Sequence, residues 1–485
     1  MIQTMFRYAD DPVTEMHVAA RDGDAGALDE VLSKELNSSE DIACSWESRV
    51  VGAAPVVYSD LATAKADALL LAVRYRNLDC VKVLLKFDAD IEGRYCQSTG
   101  ELDAQFDDDI DFSHGCTPLF IAAAFGDLEI MRLLLEKGAQ VNACDKAHCT
   151  PLMIASASWY SDVNVVKLLI EREADLALQD QDGKTAIHYA VDGNSDEILS
   201  CLIENGADVN ARSNDNCTPL MVGSKCNCHI DLLKLLVKHG AEIDLQDKDG
   251  NTTLHHAKSG TVFFGLWDLG ATLLQNNNRL TPLLLASNMG EDFFVMPLMR
   301  TLDLTKNERV DALELLGASL TTKCFSPNFH DGFHYMRLGM EERFSNPFQP
   351  LLKQPMEPVD AYQRRKESQT PVELAEIENN IDALFMESLI IKERILGKDN
   401  KLLIDSIMSV ADHYTTRRDI INIGVFSSLY KHAIGIAQSS NGPAIILLRI
   451  LVSVLVERAW HVPPSPSDIV EPGNLIVLDM NDKKK

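Results

Sequence analysis

The chemically versatile residues of this chain are scattered cysteines, histidines and aspartates, and their spacing decides what they can do. Cys226, Cys228 and His229 could each ligate a soft metal. A structural zinc takes four ligands in paired spacing, and no partner C-x-x-C accompanies them. Gly183-Lys184-Thr185 copies the end of a phosphate loop, but Leu178 stands where the leading glycine is required and no strand pattern precedes it. His188 and His255 each follow a threonine by three residues, a spacing that lets an imidazole bond back to its own turn. No G-x-S-x-G, H-E-x-x-H or pair of catalytic carboxylates occurs, so the sequence predicts no enzyme, no cofactor and no metal. One cluster does suggest recognition. Asp103, Asp107, Asp108, Asp109 and Asp111 crowd around Phe106, and such a lip could hold a guanidinium in paired hydrogen bonds.

The elements that position these residues follow from an internal repeat. Gly115-Cys116-Thr117-Pro118-Leu119 returns as His148-Cys149-Thr150-Pro151-Leu152, as Asn216-Cys217-Thr218-Pro219-Leu220 and, more loosely, around Thr185, Thr252 and Thr281. The threonines step by 33, 35, 33, 34 and 29 residues. That period resembles the ankyrin repeat, a turn followed by two antiparallel helices. Threonine and proline suit the start of the first helix, one as a hydrogen-bonding cap and the other where no intrahelical donor is needed. In one unit a first helix over residues 119–125 turns at Gly126-Asp127, and a second over residues 128–137 ends at Gly138.

Leu133, Leu134, Leu168, Leu169, Leu235 and Leu236 recur at one place in the second helices and are expected in the core. Two weaker units around Ala19-Ala20-Arg21-Asp22-Gly23 and Ala72-Val73-Arg74-Tyr75 bring the total to about eight. The spacing therefore predicts an all-α protein. After an N-terminal segment at 1–13, a solenoid covers 14–300, with the seventh unit shortened because 261–270 leaves little room for its second helix. A helical domain follows at 301–461 and a flexible tail at 462–485.

Composition agrees. The chain has 485 residues, 46% hydrophobic and 6% aromatic, with a net charge of -27. That length exceeds what one core sustains, and that charge repels nucleic-acid backbones while favouring basic partners. Eleven cysteines without dense spacing point to free thiols in a reducing compartment, giving an expected cytoplasmic location with or without a nuclear pool. Arg7 and Asp10-Asp11 interrupt any leader, and the apolar run at 444–456 is too short to span a bilayer. No membrane partner is expected.

Beyond the repeats, Glu308-Arg309-Val310-Asp311-Ala312-Leu313-Glu314-Leu315-Leu316-Gly317-Ala318 and Ile390-Ile391-Lys392-Glu393-Arg394-Ile395-Leu396-Gly397 resemble signature blocks of the feminization (fem) family of ubiquitin-ligase substrate receptors. The likeness covers roughly residues 14–440. It implies a substrate adaptor of an elongin-linked cullin-RING ligase that holds the C-terminal tail, or degron, of a target in its ankyrin groove. It also implies a tetratricopeptide-like second domain, in which a helix over 425–438 carries Tyr430, Ala433 and Ala437.

For the site, the resemblance implies a Phe-Asp pair before the third repeat, matched here by Phe106 and Asp107 with Asp109 beside them. An aromatic residue at Phe120 and a second acid near Asp162 complete the pattern, the intervening segment being two residues longer here than in the family. Trp159 is expected to touch the bound peptide, and Cys149 lies beside the groove. The family's elongin- and cullin-docking box, Leu-x-x-x-Cys in form, is not matched. Ser319-Leu320-Thr321-Thr322-Lys323-Cys324 imitates it, but Phe325-Ser326-Pro327 follows. The alternative is an interaction scaffold that recruits no ligase.

Overall fold

A computed structural model describes residues 12–37, 46–48, 56–58, 61–94, 115–157, 162–226, 228–323, 327–346, 348–354, 356–416 and 423–439. Among the described residues the fold is all-α apart from a short antiparallel ribbon, Trp46–Ser48 with Val56–Tyr58. Two compact units divide it: residues 1–248 with 252–272, and residues 249–251 with 273–485.

The first unit is a stack of seven helix pairs. They are α1 (Pro12–Asp22) with α2 (Ala25–Asn37), α3 (Leu61–Arg74) with α4 (Leu78–Lys86), α5 (Pro118–Ala124) with α6 (Leu128–Glu136), and α7 (Pro151–Ala157) with α8 (Val163–Glu171). Then come α9 (Ala186–Asp192) with α10 (Asp196–Glu204), α11 (Pro219–Cys226) with α12 (Ile230–Lys238), and α13 (Thr253–His256) with α14 (Gly260–Asp268). First helices pack on first helices and second on second.

Each pair starts from local chemistry. Thr117, Thr150 and Thr218 cap the first helices, their hydroxyls accepting from Phe120 N at 3.3 Å, Met153 N at 3.3 Å and Met221 N at 3.4 Å. Asp127 and Ser195 cap the second, accepting from Ile130 N and Ile198 N. Two residues before each capping threonine the backbone is left-handed, at Gly115, His148, Gly183, Asn216 and Gly250. At Gly183 a Cβ would come within 2.5 Å of Asn214 N in the next turn, so glycine there serves close approach as well as φ.

The buried stripe of a second helix is Ile130, Met131 and Leu134 in α6 and Leu232, Leu233 and Leu236 in α12. Leu134, Leu168, Leu169 and Leu236 are core residues as expected. Leu133 and Leu235 are only half-buried. They lie on the flank of the stripe, where cover depends on the adjoining repeat, and at Leu168 that cover is complete.

The seventh unit is short for a different reason from the one expected. Its second helix α14 has 9 residues, like α12, whereas its first helix α13 has only 4. Thr252 opens α13 and Ser259 caps α14 by accepting from Val262 N, so the two starts lie too close for a longer first helix.

The eighth pair, α15 (Pro282–Met289) and α16 (Asp292–Thr301), clusters with the second unit, where α15 packs on α17 (Lys306–Thr321). The boundary between compact units thus falls near 272, within the stretch of helix pairs that runs to Thr301. The second unit continues with α18 (Phe329–Arg343), α19 (Pro371–Ala375), α20 (Ile381–Leu396), α21 (Leu402–Thr416) and α22 (Ile423–Ser439). α19 and α20 are separate helices, because Asn380 caps a new start by accepting from Ala383 N. In α22, Tyr430, Ala433 and Ala437 are all buried.

Gly317 of α17 lets α18 approach until a Cβ would meet Gly332 O at 2.5 Å. Across these helices runs a buried charge network. Glu314 accepts from Arg343 Nε at 2.6 Å and Nη2 at 2.8 Å, and from Arg394 Nη2. Glu367 takes Arg394 Nε at 3.1 Å and Lys353 Nζ at 2.9 Å. The two signature blocks of the sequence therefore meet each other in the interior, through Glu314 and Arg394.

Candidate functional site

The accessible chemistry of the first unit lies along the turns and the adjoining face of the first helices. The turns form a ladder: Gln181 N donates to Ala147 O at 2.9 Å, Asn214 N to Asp182 O at 2.8 Å and Lys248 N to Asp215 O at 3.0 Å. Their tips carry exposed Asp182 and Asp215, weakly paired with Lys184 and Lys248 at 3.9 and 3.7 Å. Beside them the fourth residue after the opening threonine of α7, α9, α11 and α13 forms a half-buried row, Ile154, Tyr189, Val222 and His256, whereas Ile121 at that place in α5 is buried. Apolar patches edged by charge suit an extended peptide better than a small substrate.

In α5, α7, α9 and α11 the residue three after the opening threonine faces inward. His188 Nδ1 accepts from Thr185 N at 3.1 Å and its Nε2 bonds Cys217 O of the next turn at 3.2 Å. Burial lowers its pKa below the ordinary histidine value, so the neutral ring ties two repeats together. Phe120 occupies this same inward position and is 4% exposed, which places its ring inside the array.

Cys149 is likewise buried. Burial and the charge of Asp145 push its thiol up to about 12, so it is a protonated packing residue near Tyr189. Asp162 is at the surface and caps α8, accepting from Asn164 N at 3.1 Å and Asn164 Nδ2 at 2.8 Å, bonds that hold its carboxyl below the usual range. Phe106, Asp107, Asp109 and Trp159 lie outside the described residues. Their flanks are placed, however. Arg94 Nη1 donates to Gly115 O at 3.2 Å and to Cys144 O at 2.6 Å, so the two described residues that flank 95–114 lie together at the turn edge.

Cys226, Cys228 and His229 do not converge. Cys226 Sγ donates to Asp192 Oδ1 at 2.7 Å, Cys228 Sγ to Val191 O at 3.1 Å, and His229 N to Asn194 Oδ1 at 3.1 Å. The half-buried row and the turn acids were missed in the sequence. Their signal was present as residues recurring four after and three before the threonines that open the first helices.

Comparison with known proteins decides the nature of the array. The family model described as ankyrin repeats matches three times, over residues 7–143, 69–180 and 152–247. The chain carries ankyrin repeats. It is similar to an ankyrin repeat protein of Acanthamoeba polyphaga mimivirus, 32% identical over 142 residues, covering 29% of this chain and 18% of that protein. An ankyrin repeat protein of fowlpox virus (strain NVSL) is 28% identical over 178 residues, 36% of this chain and 48% of the relative. Neurogenic locus notch homolog protein 1 of Homo sapiens is 31% identical over 207 residues, 39% of this chain and 8% of the relative. The chain thus spans between 8% and about half the length of these curated relatives.

An ankyrin array is a protein-interaction surface, and protein partners are what this turn edge suits. Among the described residues no helix is long and apolar enough to cross a membrane.

Proposed function

We propose that the chain is a non-catalytic recognition adaptor whose ankyrin turn edge captures the basic C-terminal tail of a target protein for an elongin-linked cullin-RING ubiquitin ligase. The observation that supports the reading is where the residues flanking the acidic segment lie. Arg94 and Gly115 bound residues 95–114, and Arg94 bonds to Gly115 O and Cys144 O. The stretch between them in the sequence carries the aspartates at 103–111. A tail ending in arginine would set its guanidinium against Asp107 and its apolar residues along Ile154, Tyr189 and Val222. Groove contacts of this kind combine main-chain hydrogen bonds with side-chain pockets.

The ligase half of the proposal rests on the resemblance of residues 308–318 and 390–397 to the fem family. Those blocks build the second unit's interior, so an elongin-binding surface must come from elsewhere; Leu320, in the imitation of the docking box, is buried in α17. Co-purification of the full chain from cells tests this half. Recovery of elongin B and C supports the adaptor, and their absence leaves an interaction scaffold.

Fluorescence polarisation of the full chain with a peptide ending in arginine, against the same peptide ending in glutamate, tests the capture step. The arginine peptide should bind more tightly. Asp107→Ala should weaken it by about 2–5 kcal/mol if the ion pair is desolvated, against less than about 1 kcal/mol on an open lip. Equal affinity for both peptides would remove the arginine pocket.

A further inference from the structure

Among the described residues, one group brings three metal-ligating atoms together. Those of Cys217, Asp247 and His256 all lie within 4.8 Å of one another. Cys217 directly precedes the capping threonine of the sixth repeat, Asp247 lies in the turn of the seventh, and His256 ends α13. Asp247 and His256 are largely buried, with side chains 8% and 18% exposed, and Cys217 is half-buried.

The array holds its own comparison. The same three positions two repeats earlier are Cys149, Asp180 and Tyr189, where the tyrosine hydroxyl donates to Asp180 Oδ2 at 2.6 Å. Between and beside them stand Cys116, Asp145 and Ile154, and Lys184, Ser213 and Val222. Cysteine, carboxylate and imidazole thus coincide where the first helix shrinks to a single turn. A helix of 4 residues cannot sustain itself, and a cross-link from its last residue to two adjacent turns would fix it.

We propose that Cys217, Asp247 and His256 form a zinc(II) site, with water as the fourth ligand. Zinc distances of about 2.0–2.3 Å place tetrahedral ligand atoms roughly 3.3–3.8 Å apart, against at most 4.8 Å here. His256 Nε2 is 2.9 Å from Asp247 Oδ2, and the ion takes the place of the proton between them. Binding releases the thiol proton of Cys217 to solvent and shifts the imidazole proton to Nδ1. Thiolate and carboxylate then neutralise the dication. The carboxylates of Asp247 and Asp215 near the thiol draw a divalent cation. A thiolate with an imidazole favours zinc over magnesium or calcium.

The test uses the full chain, reduced, stripped with a chelator and titrated with cobalt(II). One equivalent should bind with a thiolate-to-cobalt charge-transfer band, be displaced by zinc(II), and raise the thermal midpoint. Cys217→Ser should abolish the band. His256→Tyr copies the arrangement at Tyr189, keeps a donor facing the carboxylate, and should weaken binding at least about 10- to 100-fold with unchanged circular dichroism. Cys226→Ser, at the exposed cysteine, should leave the titration as it was. Absence of uptake by the unaltered chain, or a band that survives Cys217→Ser or disappears with Cys226→Ser, would overturn the site and leave an ordinary His–Asp hydrogen bond.

Discussion

Replacing Glu314 by glutamine should break the second unit from within. Glu314 is 1% exposed and Arg343 4%. The carboxylate accepts both arms of Arg343, at 2.6 and 2.8 Å, and one from Arg394, with Lys353 Nζ at 3.7 Å. Burial alone would raise its pKa, but the bonds from Arg343 and the charges of Lys353 and Arg394 outweigh this and hold it below the ordinary value. Removing the charge leaves three buried cations facing Glu367 and the half-exposed Asp311. At an effective dielectric near 20, one pair at about 4 Å is worth roughly 4 kcal/mol, and breaking a buried pair costs about 3–5 kcal/mol. Glu314→Leu combined with Arg343→Leu should cost less than the sum of its parts, with a coupling of about 1–3 kcal/mol. Two compact units make a whole-chain midpoint ambiguous. The assay is therefore native-state amide exchange of α17 and α20 by mass spectrometry. Unchanged protection of α17 in Glu314→Gln would refute the reasoning, because the network would then be screened by solvent.

Other outcomes follow from the array. Leu236→Ala should cost about 2–5 kcal/mol and Leu235→Ala clearly less, since only the first is fully buried; equal urea midpoints would contradict the stripe. Burial lowers the pKa of His188 from its ordinary 6.5, so its stabilising neutral form is fully present above that pH. Between 6.5 and the folded pKa the unfolded chain binds more protons, and stability should fall by up to ~1.4 kcal/mol per pH unit. His188→Gln should remove that slope in pH-dependent melts. Glu173 has φ 65 where Gly138, Gly206 and Gly240 stand in sister repeats. Relief of about 1–2 kcal/mol of left-handed strain, less about 0.4–1 kcal/mol of unfolded-chain entropy, leaves Glu173→Gly modestly stabilising, as a rise in melting temperature.

The repeat was legible because its determinants are local. A threonine cap, a following proline and a left-handed turn residue act within five positions, and each recurs. The short α13 could have been read the same way, since Thr252 and Ser259 are both caps. The charge network could not. Glu314 and Arg394 are partners only because α17 and α20 meet, and nothing in either block alone says whether it faces water or its counterpart. Phe120 shows the limit at the site. Its position was identified, but whether it faces outward depends on stacking, and in α5 both Phe120 and its neighbour Ile121 are buried.

Amide exchange of the first unit with and without an arginine-ended peptide tests the central claim most directly. If the turn edge is the recognition surface, protection should rise at the turns and first-helix starts around residues 115–117, 148–154, 183–189 and 215–222, and Asp107→Ala should erase the change. Protection gained only along the outer second helices, α6, α8, α10 and α12, or only in the second unit, would contradict it.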